Sequence, residues 1–242
     1  MKPTIGHDFD NGKERATVSG RRLLITIDGP AGVGKSTVSQ SLAKRLGYIY
    51  LDTGALYRAL AWKIQQQQSD PNNAAQVEAI LSQTEISFLP QADGVSIQVD
   101  GSAVEPGALR TPEISQLAST IAVLPLVRAW LLPVQRKLGE ACGVVAEGRD
   151  MGTRVFPQAD VKFFLDADVS VRAIRRHLEF AQKGKGQSLE SVQEEMTARD
   201  WRDRTREIAP LYPAEEATII DTSHQSADQV VDQMMKVIAD RL

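Results

Sequence analysis

Nine consecutive residues near the start of the chain have the types and spacing needed to bind phosphate. They are Gly29, Pro30, Ala31, Gly32, Val33, Gly34, Lys35, Ser36 and Thr37, and the first eight match the pattern G-x-x-x-x-G-K-[ST]. Glycines let successive backbone N–H groups approach a triphosphate, because a side chain there would block contact. Lys35 can place its ammonium on the β- and γ-phosphates, and the Ser36 hydroxyl can ligate Mg²⁺. The sequence therefore predicts a nucleoside triphosphate site at residues 29–37.

Two further polar clusters could hold a second ligand. Residues 52–58 (DTGALYR) combine a carboxylate, a hydroxyl, a glycine and an arginine at a predicted helix start, which suits a phosphate-bearing molecule. A capped turn would use the same residues. Residues 147–152 (EGRDMG) follow an apolar run, and ligands of open parallel sheets bind beyond the carboxyl ends of the strands. A glycine-rich turn with a surface ion pair is the alternative there.

The densest charge signal is the run 199–206 (RDWRDRTR). In a helix, Arg199, Arg202 and Arg206 would share one face with Asp203. Guanidinium groups on one face repel one another unless an anion answers them, and a transferring phosphoryl group is such an anion. A solvated helix face neutralised by its own aspartates is the alternative. The arginine excess favours a phosphate clamp.

A second arginine cluster lies a short distance upstream. Arg172, Arg175 and Arg176 lie opposite the apolar stripe of a predicted helix over residues 171–178. Between the two clusters, residues 182–188 (QKGKGQS) have the composition of a hinge for a closing lid.

Short apolar runs predict the elements that must position these residues. The runs at 23–28, 48–51, 143–146, 161–165 and 218–220 indicate buried strands, and their spacing leaves room for helical crossovers. We therefore expect an α/β fold with a mainly parallel five-stranded sheet flanked by helices. Apolar stripes at helical spacing predict helices over 127–138, 171–178 and 230–238. Residues 86–99 interrupt this alternation and predict an antiparallel hairpin that interrupts the α/β core.

Composition limits the class of protein. The chain has 242 residues, 42% of them hydrophobic, and a net charge of −3 with a sequence pI of about 5.7, so no basic field indicates nucleic acid or an anionic membrane. One cysteine excludes an internal disulfide and a cysteine zinc site. No run approaches 18 apolar residues, and the first residues lack an apolar signal region. We expect a cytoplasmic enzyme, with residues 1–20 a disordered tail.

With these motifs in order, the chain resembles the bacterial-type cytidylate kinases (CMP kinases) over nearly its full length after residue 20. Three segments carry the resemblance: ITIDGPAGVGKS at 25–36, LDTGALYR at 51–58 and EGRDMGT at 147–153. Shorter matches are VFP at 155–157, FLDA at 164–167 and RDWRDR at 199–204. Many families share the phosphate-binding loop, whereas the second and third segments together are far more specific.

The resemblance implies an ATP-dependent, Mg²⁺-requiring kinase that phosphorylates CMP and dCMP. It implies a P-loop NTPase fold with a core at 21–68 and 111–242, a monophosphate-binding insert at about 69–110 and a mobile lid at about 182–200. By position it assigns the monophosphate site to Thr53, Tyr57, Arg58, Ser119, Arg128, Arg149, Asp150, Arg199, Asp203 and Arg206. It makes Lys35, Arg149, Arg199 and Arg206 catalytic, residues 29–37 ATP-binding and Ser36 the metal ligand.

The same resemblance suggests a division of roles within the monophosphate site. Ser119, Arg128 and Asp150 would read the pyrimidine or sugar, and Asp203 would hold the pentose. The phosphates would be held by Arg58, Arg149, Arg199 and Arg206. We expect a monomer that binds ATP and CMP or dCMP, and neither nucleic acid nor membrane.

Other functions stay open at the level of sequence. The nearest is another small-substrate P-loop kinase, for UMP or for a non-nucleotide metabolite. A nucleotide-dependent switch is more distant, because the D-x-x-G and N-K-x-D patterns of GTPase switches do not occur after the loop. A nucleic-acid-binding ATPase is disfavoured by the acidic pI and by 5% aromatic residues.

Overall fold

The structure is a computed structural model that describes residues 21–91, 94–140, 143–182 and 186–241. The predictions made for the tail at 1–20, for the hairpin turn at 92–93 and for lid residues 183–185 lie outside the described residues. The described chain forms two compact units, one comprising Leu51–Glu140 and the other Arg21–Tyr50 with Ala141–Leu242. We call the first the insert unit and the second the sheet unit.

The described elements follow one another in a βα alternation that the region between α3 and α4 interrupts. In order they are β1 (Leu24–Asp28), α1 (Lys35–Leu46), β2 (Ile49–Asp52), α2 (Thr53–Gln66), α3 (Ala74–Gln83), β3 (Ile86–Gln91), β4 (Gly94–Val99), β5 (Ser102–Ala103), a 3₁₀ turn (Ala108–Arg110), α4 (Pro112–Ile121), α5 (Pro125–Gly139), β6 (Val144–Gly148), a π-helical turn (Met151–Val155), β7 (Val161–Asp166), α6 (Val169–Gln182), α7 (Leu189–Thr205), β8 (Thr218–Asp221) and α8 (Ala227–Ala239).

Five strands form one sheet in the order β2-β6-β1-β7-β8. The pairings of β1 with β6, of β1 with β7 and of β7 with β8 are parallel. All five predicted strands are therefore confirmed, with boundaries that shift by one or two residues. Because β1 is the central strand, the loop that follows it leaves the middle of the sheet, between the neighbours β6 and β7.

The core of the sheet unit explains why β1 and α1 are held so firmly. Ile25 and Ile27 of β1 and Leu42 of α1 are fully buried in one hydrophobic cluster, which also contains Phe163 of β7 and Met234 of α8. Gly47 ends α1 in a left-handed conformation (φ 65°), the usual way for a helix to stop. The phosphate-loop region thus connects two elements whose positions are fixed by burial.

The insert unit has a core of its own. Leu60 of α2, Val77 of α3, Ile114 of α4 and Leu131 of α5 are buried in a second cluster, which also includes Ile97 of β4. The predicted hairpin is confirmed as β3 and β4, which pair in antiparallel register. The short strand β5 pairs with β4 and completes a three-stranded sheet.

Among the described residues, no single helix is long and apolar enough to cross a membrane. The helices α4 and α5 reach that threshold only as a pair bent by 102°.

Candidate functional site

The loop between β1 and α1 has the backbone of a phosphate-binding loop. Gly29, Gly32 and Gly34 adopt φ values of 148°, 77° and 92°, a region that side chains disfavour. At Gly29 a Cβ would lie 2.2 Å from the Leu165 carbonyl oxygen, so only glycine allows the loop to pass β7 at this distance. The loop conformation therefore depends on glycine at the predicted positions.

Side chains bond to the carbonyl oxygens of this loop one after another. Lys35 Nζ donates to the oxygens of Gly29 and Pro30 at 2.7 and 2.6 Å. Arg172 Nη1 donates to Ala31 at 3.1 Å, and Thr222 Oγ1 donates to Val33 at 3.0 Å. In a trans peptide, the N–H of the next residue points away from the carbonyl oxygen. The bonds to the Ala31 and Val33 carbonyls therefore leave the amides of Gly32 and Gly34 pointing away from Arg172 and Thr222. Such amides are the donors that an anion needs.

The predicted turn after β6 begins at the same edge of the sheet as the loop. Asp28 at the end of β1 pairs with Gly148 at the end of β6, so the loop and the turn that carries Arg149 and Asp150 leave neighbouring strands side by side. The buried Asp28 carboxylate accepts hydrogen bonds from the amides of Met151 and Gly152, at 2.9 and 2.8 Å. The turn is therefore tied directly to the strand that precedes the loop.

The arginine run near residue 203 differs in one respect from the helical expectation. The helix α7 ends at Thr205, and Arg206 is its C-cap with extended backbone (φ −61°, ψ 142°). Arg206 therefore does not continue the helical face of Arg199 and Asp203; instead its Nε donates to the carbonyl of Ala209 at 2.6 Å.

Buried ion pairs connect this run with the turn after β6. Asp203 accepts a hydrogen bond from Arg149 Nε at 2.9 Å and lies 3.7 Å from Arg206, which also lies 3.7 Å from Asp150. Burial alone would raise the pKa of Asp203, but Arg149, Arg199 and Arg206 together hold it below the ordinary value of 3.8. The structure thus brings together all five monophosphate-site candidates of the sheet unit.

The loop lysine and the strand carboxylate beside it are both strongly perturbed. Burial, and after it the positive charge of Arg149, lower the pKa of Lys35 well below 10.5. Burial raises the pKa of Asp28 to about 6; the amides of Gly152 and Met151 oppose the rise, and Asp150 adds to it. Perturbed groups of this kind cluster at functional sites.

The remaining candidates lie in the insert unit. Asp52 caps α2 by accepting from the Ala55 amide at 3.0 Å, and the same carboxylate pairs with Arg58 at 2.5 Å. The capped turn is therefore confirmed, and a role of Arg58 in binding phosphate stays a prediction. Thr53 is buried at the first position of α2.

A second group of insert-unit candidates comprises Tyr57, Ser119 and Arg128, of which Tyr57 and Arg128 contact each other. The guanidinium of Arg128 lies over the ring of Tyr57 at 5.7 Å from its centroid and donates to the carbonyl of Ala122 at 3.2 Å. Arg128 and Ser119 are both buried. These contacts fix the aromatic ring and the arginine relative to each other.

The sequence placed Asp28, Glu147 and Arg172 in motifs or clusters but gave none of them an individual role at this edge. Asp28 was part of a motif but had no role, although a carboxylate that ends an apolar strand just before the loop was a usable signal. Glu147 is buried and accepts a hydrogen bond from the Tyr50 hydroxyl. Arg172 is 4% exposed and pairs with Asp200 at 2.6 Å. Nothing in the local sequence indicates that last pair.

These features define a class of protein. A phosphate-binding loop after the central strand of a parallel sheet, with buried arginines at the same edge, is typical of P-loop enzymes that act on phosphoryl groups. The sequence model of the family described as cytidylate kinase matches residues 25–240, and the chain belongs to this family.

Individual relatives agree with the family. The bifunctional pantoate ligase/cytidylate kinase of Synechococcus elongatus is 44% identical over 233 residues, which cover 94% of this chain and 44% of that protein, so the chain spans less than half of its length. The cytidylate kinase of Syntrophotalea carbinolica is 44% identical over 221 residues, 91% of this chain and 94% of that protein. Among solved structures, an uncharacterized protein from Eubacterium ventriosum has a TM-score of 0.50 at 13% identity, covering 91% of this chain and 100% of that one, a likeness of fold alone.

Proposed function

We propose that the protein transfers the γ-phosphoryl group of ATP to CMP and dCMP, giving ADP with CDP or dCDP. Family membership supports the class of reaction. The observation that carries the proposal is the parallel pairing of Asp28 with Gly148, which starts the phosphate-binding loop and the Arg149 turn side by side at one edge of the sheet. A donor triphosphate on the loop would then meet the partly buried Arg149.

The reaction needs no covalent intermediate on the protein. An oxygen of the CMP phosphate attacks the γ-phosphorus in line, and the bond from that phosphorus to the β,γ-bridging oxygen breaks, which leaves ADP. Catalysis then consists of positioning and charge stabilisation. Lys35 would follow the phosphoryl group across, while Arg149, Arg199 and Arg206 would balance the charge on its oxygens. Closure of a lid at about 182–200 would exclude water, which is the competing acceptor.

A magnesium ion fits the residues present. Ser36 lies exposed in the first turn of α1, next to Lys35, so its hydroxyl can reach an ion held between ATP phosphates. Within the described ranges, no group of three or more His, Cys, Asp or Glu side chains is arranged for a metal. Mg²⁺ commonly keeps waters and substrate phosphates as ligands and takes few from the protein. It would supply neutralisation of the β- and γ-phosphate charge.

The decisive experiment is a coupled assay of ADP release with CMP, dCMP, UMP, AMP and GMP as acceptors, with and without Mg²⁺. We expect the highest turnover on CMP or dCMP, little without an acceptor, and loss of activity when Mg²⁺ is chelated. Turnover highest on UMP or AMP, or none on CMP, would contradict the proposal and favour another P-loop kinase.

Lys35→Met provides the catalytic control. We expect it to lower kcat by at least about a hundredfold, because removing one stabilising group of a transition state costs that much. Lys44→Met is the matched substitution, since Lys44 lies exposed on the same helix. Near-normal kcat in Lys35→Met would remove this lysine from the mechanism. The cytoplasmic location, the monomeric state, the domain boundaries and the individual roles of the arginines stay predictions.

A further inference from the structure

The carboxylate of Asp28 bonds to two backbone amides that lie far away along the chain. Asp28 is the last residue of β1, it is 4% exposed, and each of its two carboxylate oxygens accepts one backbone N–H. The donors are consecutive residues, Met151 and Gly152, and they follow directly on Arg149 and Asp150. One side chain therefore joins the start of the phosphate-binding loop to the turn with the candidate arginine.

The two amides need this acceptor. Met151 and Gly152 begin a π-helical turn, in which the amides of Arg154 and Val155 bond to the carbonyl of Asp150 at 2.9 and 3.0 Å. The first amides of a helical turn have no partner within the turn, so a buried turn must find acceptors elsewhere. Only a carboxylate offers two equivalent oxygens to two adjacent N–H groups.

This arrangement is chemically costly for a purely structural cap. Burial raises the pKa of Asp28 to about 6, and the neighbouring Asp150 contributes to the rise while Lys35 opposes it. A buried charge is disfavoured unless it is paired and hydrogen-bonded. A carboxylate with a perturbed pKa beside two candidate site residues is typical of functional sites.

We propose that Asp28 is a positioning residue for phosphoryl transfer: its carboxylate fixes Arg149 and Asp150 relative to the phosphate-binding loop. This inference rests on the proposed function. Asp203 pairs with the guanidinium of Arg149, and Asp28 holds the backbone two and three residues after it, so the two carboxylates constrain the turn and its side chain from different sides. Asp28 itself need not touch either nucleotide.

The test is Asp28→Asn, which has the same size but offers one acceptor oxygen in place of two. The matched control is Asp160→Asn, because the Asp160 carboxylate accepts from the Leu24 amide at 2.8 Å at the opposite end of the same strand. Both variants are assayed with the best acceptor of the nucleotide panel, so that a different acceptor preference would change the proposed function and leave this comparison readable.

We expect Asp28→Asn to lower kcat between about tenfold and a hundredfold, as small misplacements of a catalytic group do, with KM for both nucleotides changed less than about threefold. The midpoint of thermal unfolding should stay within about 4 °C of the wild type at pH 7.5. Asp160→Asn should keep kcat within about twofold. Equal kcat in the two variants, or a loss in Asp28→Asn that appears only in KM, would overturn the inference.

A second measurement on the wild type keeps the inference falsifiable if Asp28→Asn does not fold. The amide proton resonances of Met151 and Gly152, followed by NMR without nucleotide, should titrate together with a midpoint near 6. The acid side of the pH dependence of kcat should contain a step at the same midpoint. Amides that do not titrate together, or a kcat profile without a step at whatever midpoint the two amides share, would refute the positioning role.

Discussion

At the scale of single residues, the arginines at the sheet edge are organised before any anion arrives. Repulsion between guanidinium groups was the argument for a phosphate clamp, yet Asp203 already lies between Arg149 and Arg206. A guanidinium has five N–H donors, so Arg149 can pair with Asp203 through Nε and still bond to a phosphate. A carboxylate that orients two arginines in advance reduces the reorganisation needed in the transition state.

Arg206 is the residue on which this arrangement can be tested. We expect Arg206→Ala to lower kcat by about a hundredfold or more, because one donor to the transferring group is lost. It should also lower the free energy of unfolding, since Asp150 and Asp203 stay buried with one cation fewer. Steady-state kinetics and urea unfolding measure the two effects.

Two further variants separate the contributions. Arg206→Lys keeps the charge but not the planar donor fork, so we expect stability to recover in part while kcat stays at least about tenfold low. Arg204→Ala is the control, because Arg204 and its partner Asp166 are both about half exposed, whereas the partners of Arg206 are buried. If Arg204→Ala reduced kcat as much as Arg206→Ala, the specific role of Arg206 would be wrong.

At the scale of elements, the helical hairpin of α6 and α7 is attached to the phosphate-binding loop. Arg172 of α6 donates to the carbonyls of Ala31 and Ala167 and pairs with Asp200 of α7. At Gly32 of the loop, a Cβ would lie 2.7 Å from Met196 Cε of α7. Since the same helix carries Arg199 one turn and Asp203 two turns further on, this contact sets their position relative to the loop.

We therefore expect Arg172→Ala to affect both the loop and the helix. The substitution removes the hydrogen bond that the Ala31 carbonyl accepts. It also leaves the Asp200 carboxylate buried without this partner, which lowers the free energy of unfolding by roughly 3–5 kcal/mol for a broken buried pair. KM for ATP should rise and kcat should fall. The double variant Arg172→Met with Asp200→Leu should recover much of the stability but not KM for ATP, which steady-state kinetics and unfolding would show.

Arg176→Ala serves as the comparison on the same helix. Its side chain is partly buried, pairs with Glu179 and lies over the ring of Phe180 at 4.4 Å from the centroid, so we expect about 1–2 kcal/mol of destabilisation, less than in Arg172→Ala, and normal kinetics. Recovery of KM for ATP in the double variant would mean that Arg172 acts through stability alone.

How far the sequence predicts these elements depends on how local their signal is. The five strands and the helix α8 could be predicted because apolar runs and stripes identify them within a few residues. The helix α3 was missed, although Val77, Ile80 and Leu81 have helical spacing and are buried. The strand β5 was not predicted either, because its two residues are too few to show a period.

The helix α6 illustrates what a local pattern cannot contain. Val171, Ile174 and Leu178 correctly predict a helix, but Ile174 and Leu178 are exposed while Arg172 is buried. The reason is that the partners of Arg172 lie in the loop after β1 and in α7, far away along the chain. Strand order is hidden for the same cause, since β6 pairs with β1 across more than a hundred residues.

At the scale of the whole molecule, the candidate site residues are distributed over both compact units. The insert unit carries the acidic cap and arginine at the start of α2 and the Arg128–Tyr57 contact, each fixed by its own core. The sheet unit carries the loop and the buried arginines. The sequence identified residues of both groups, because each motif is local. It could not foretell the ion pairs within the sheet unit, which join separate motifs.

The free energy of unfolding should depend on pH in part through the protonation of Asp28. Its pKa is raised from 3.8 to about 6, so the folded state binds more protons than the unfolded state between these values. The stabilising contribution is therefore complete below about pH 3.8 and lost as pH rises through about 6, by about 3 kcal/mol at 1.36 kcal/mol for each pKa unit. Asp203, whose pKa is lowered, acts with the opposite sign and loses its contribution on acidification.

The comparison of the wild type with Asp28→Asn isolates the first effect, because Asp203 and every other carboxylate are common to both. We expect the free energy of unfolding of Asp28→Asn, measured in urea, to increase relative to the wild type between pH 4.5 and pH 7.5. The relative gain over this interval should be about 2 kcal/mol, because the asparagine has no charge to keep buried and roughly a third of the total effect already falls below pH 4.5. A difference between wild type and Asp28→Asn that does not change with pH would mean that the Asp28 carboxylate keeps an ordinary pKa in the folded protein.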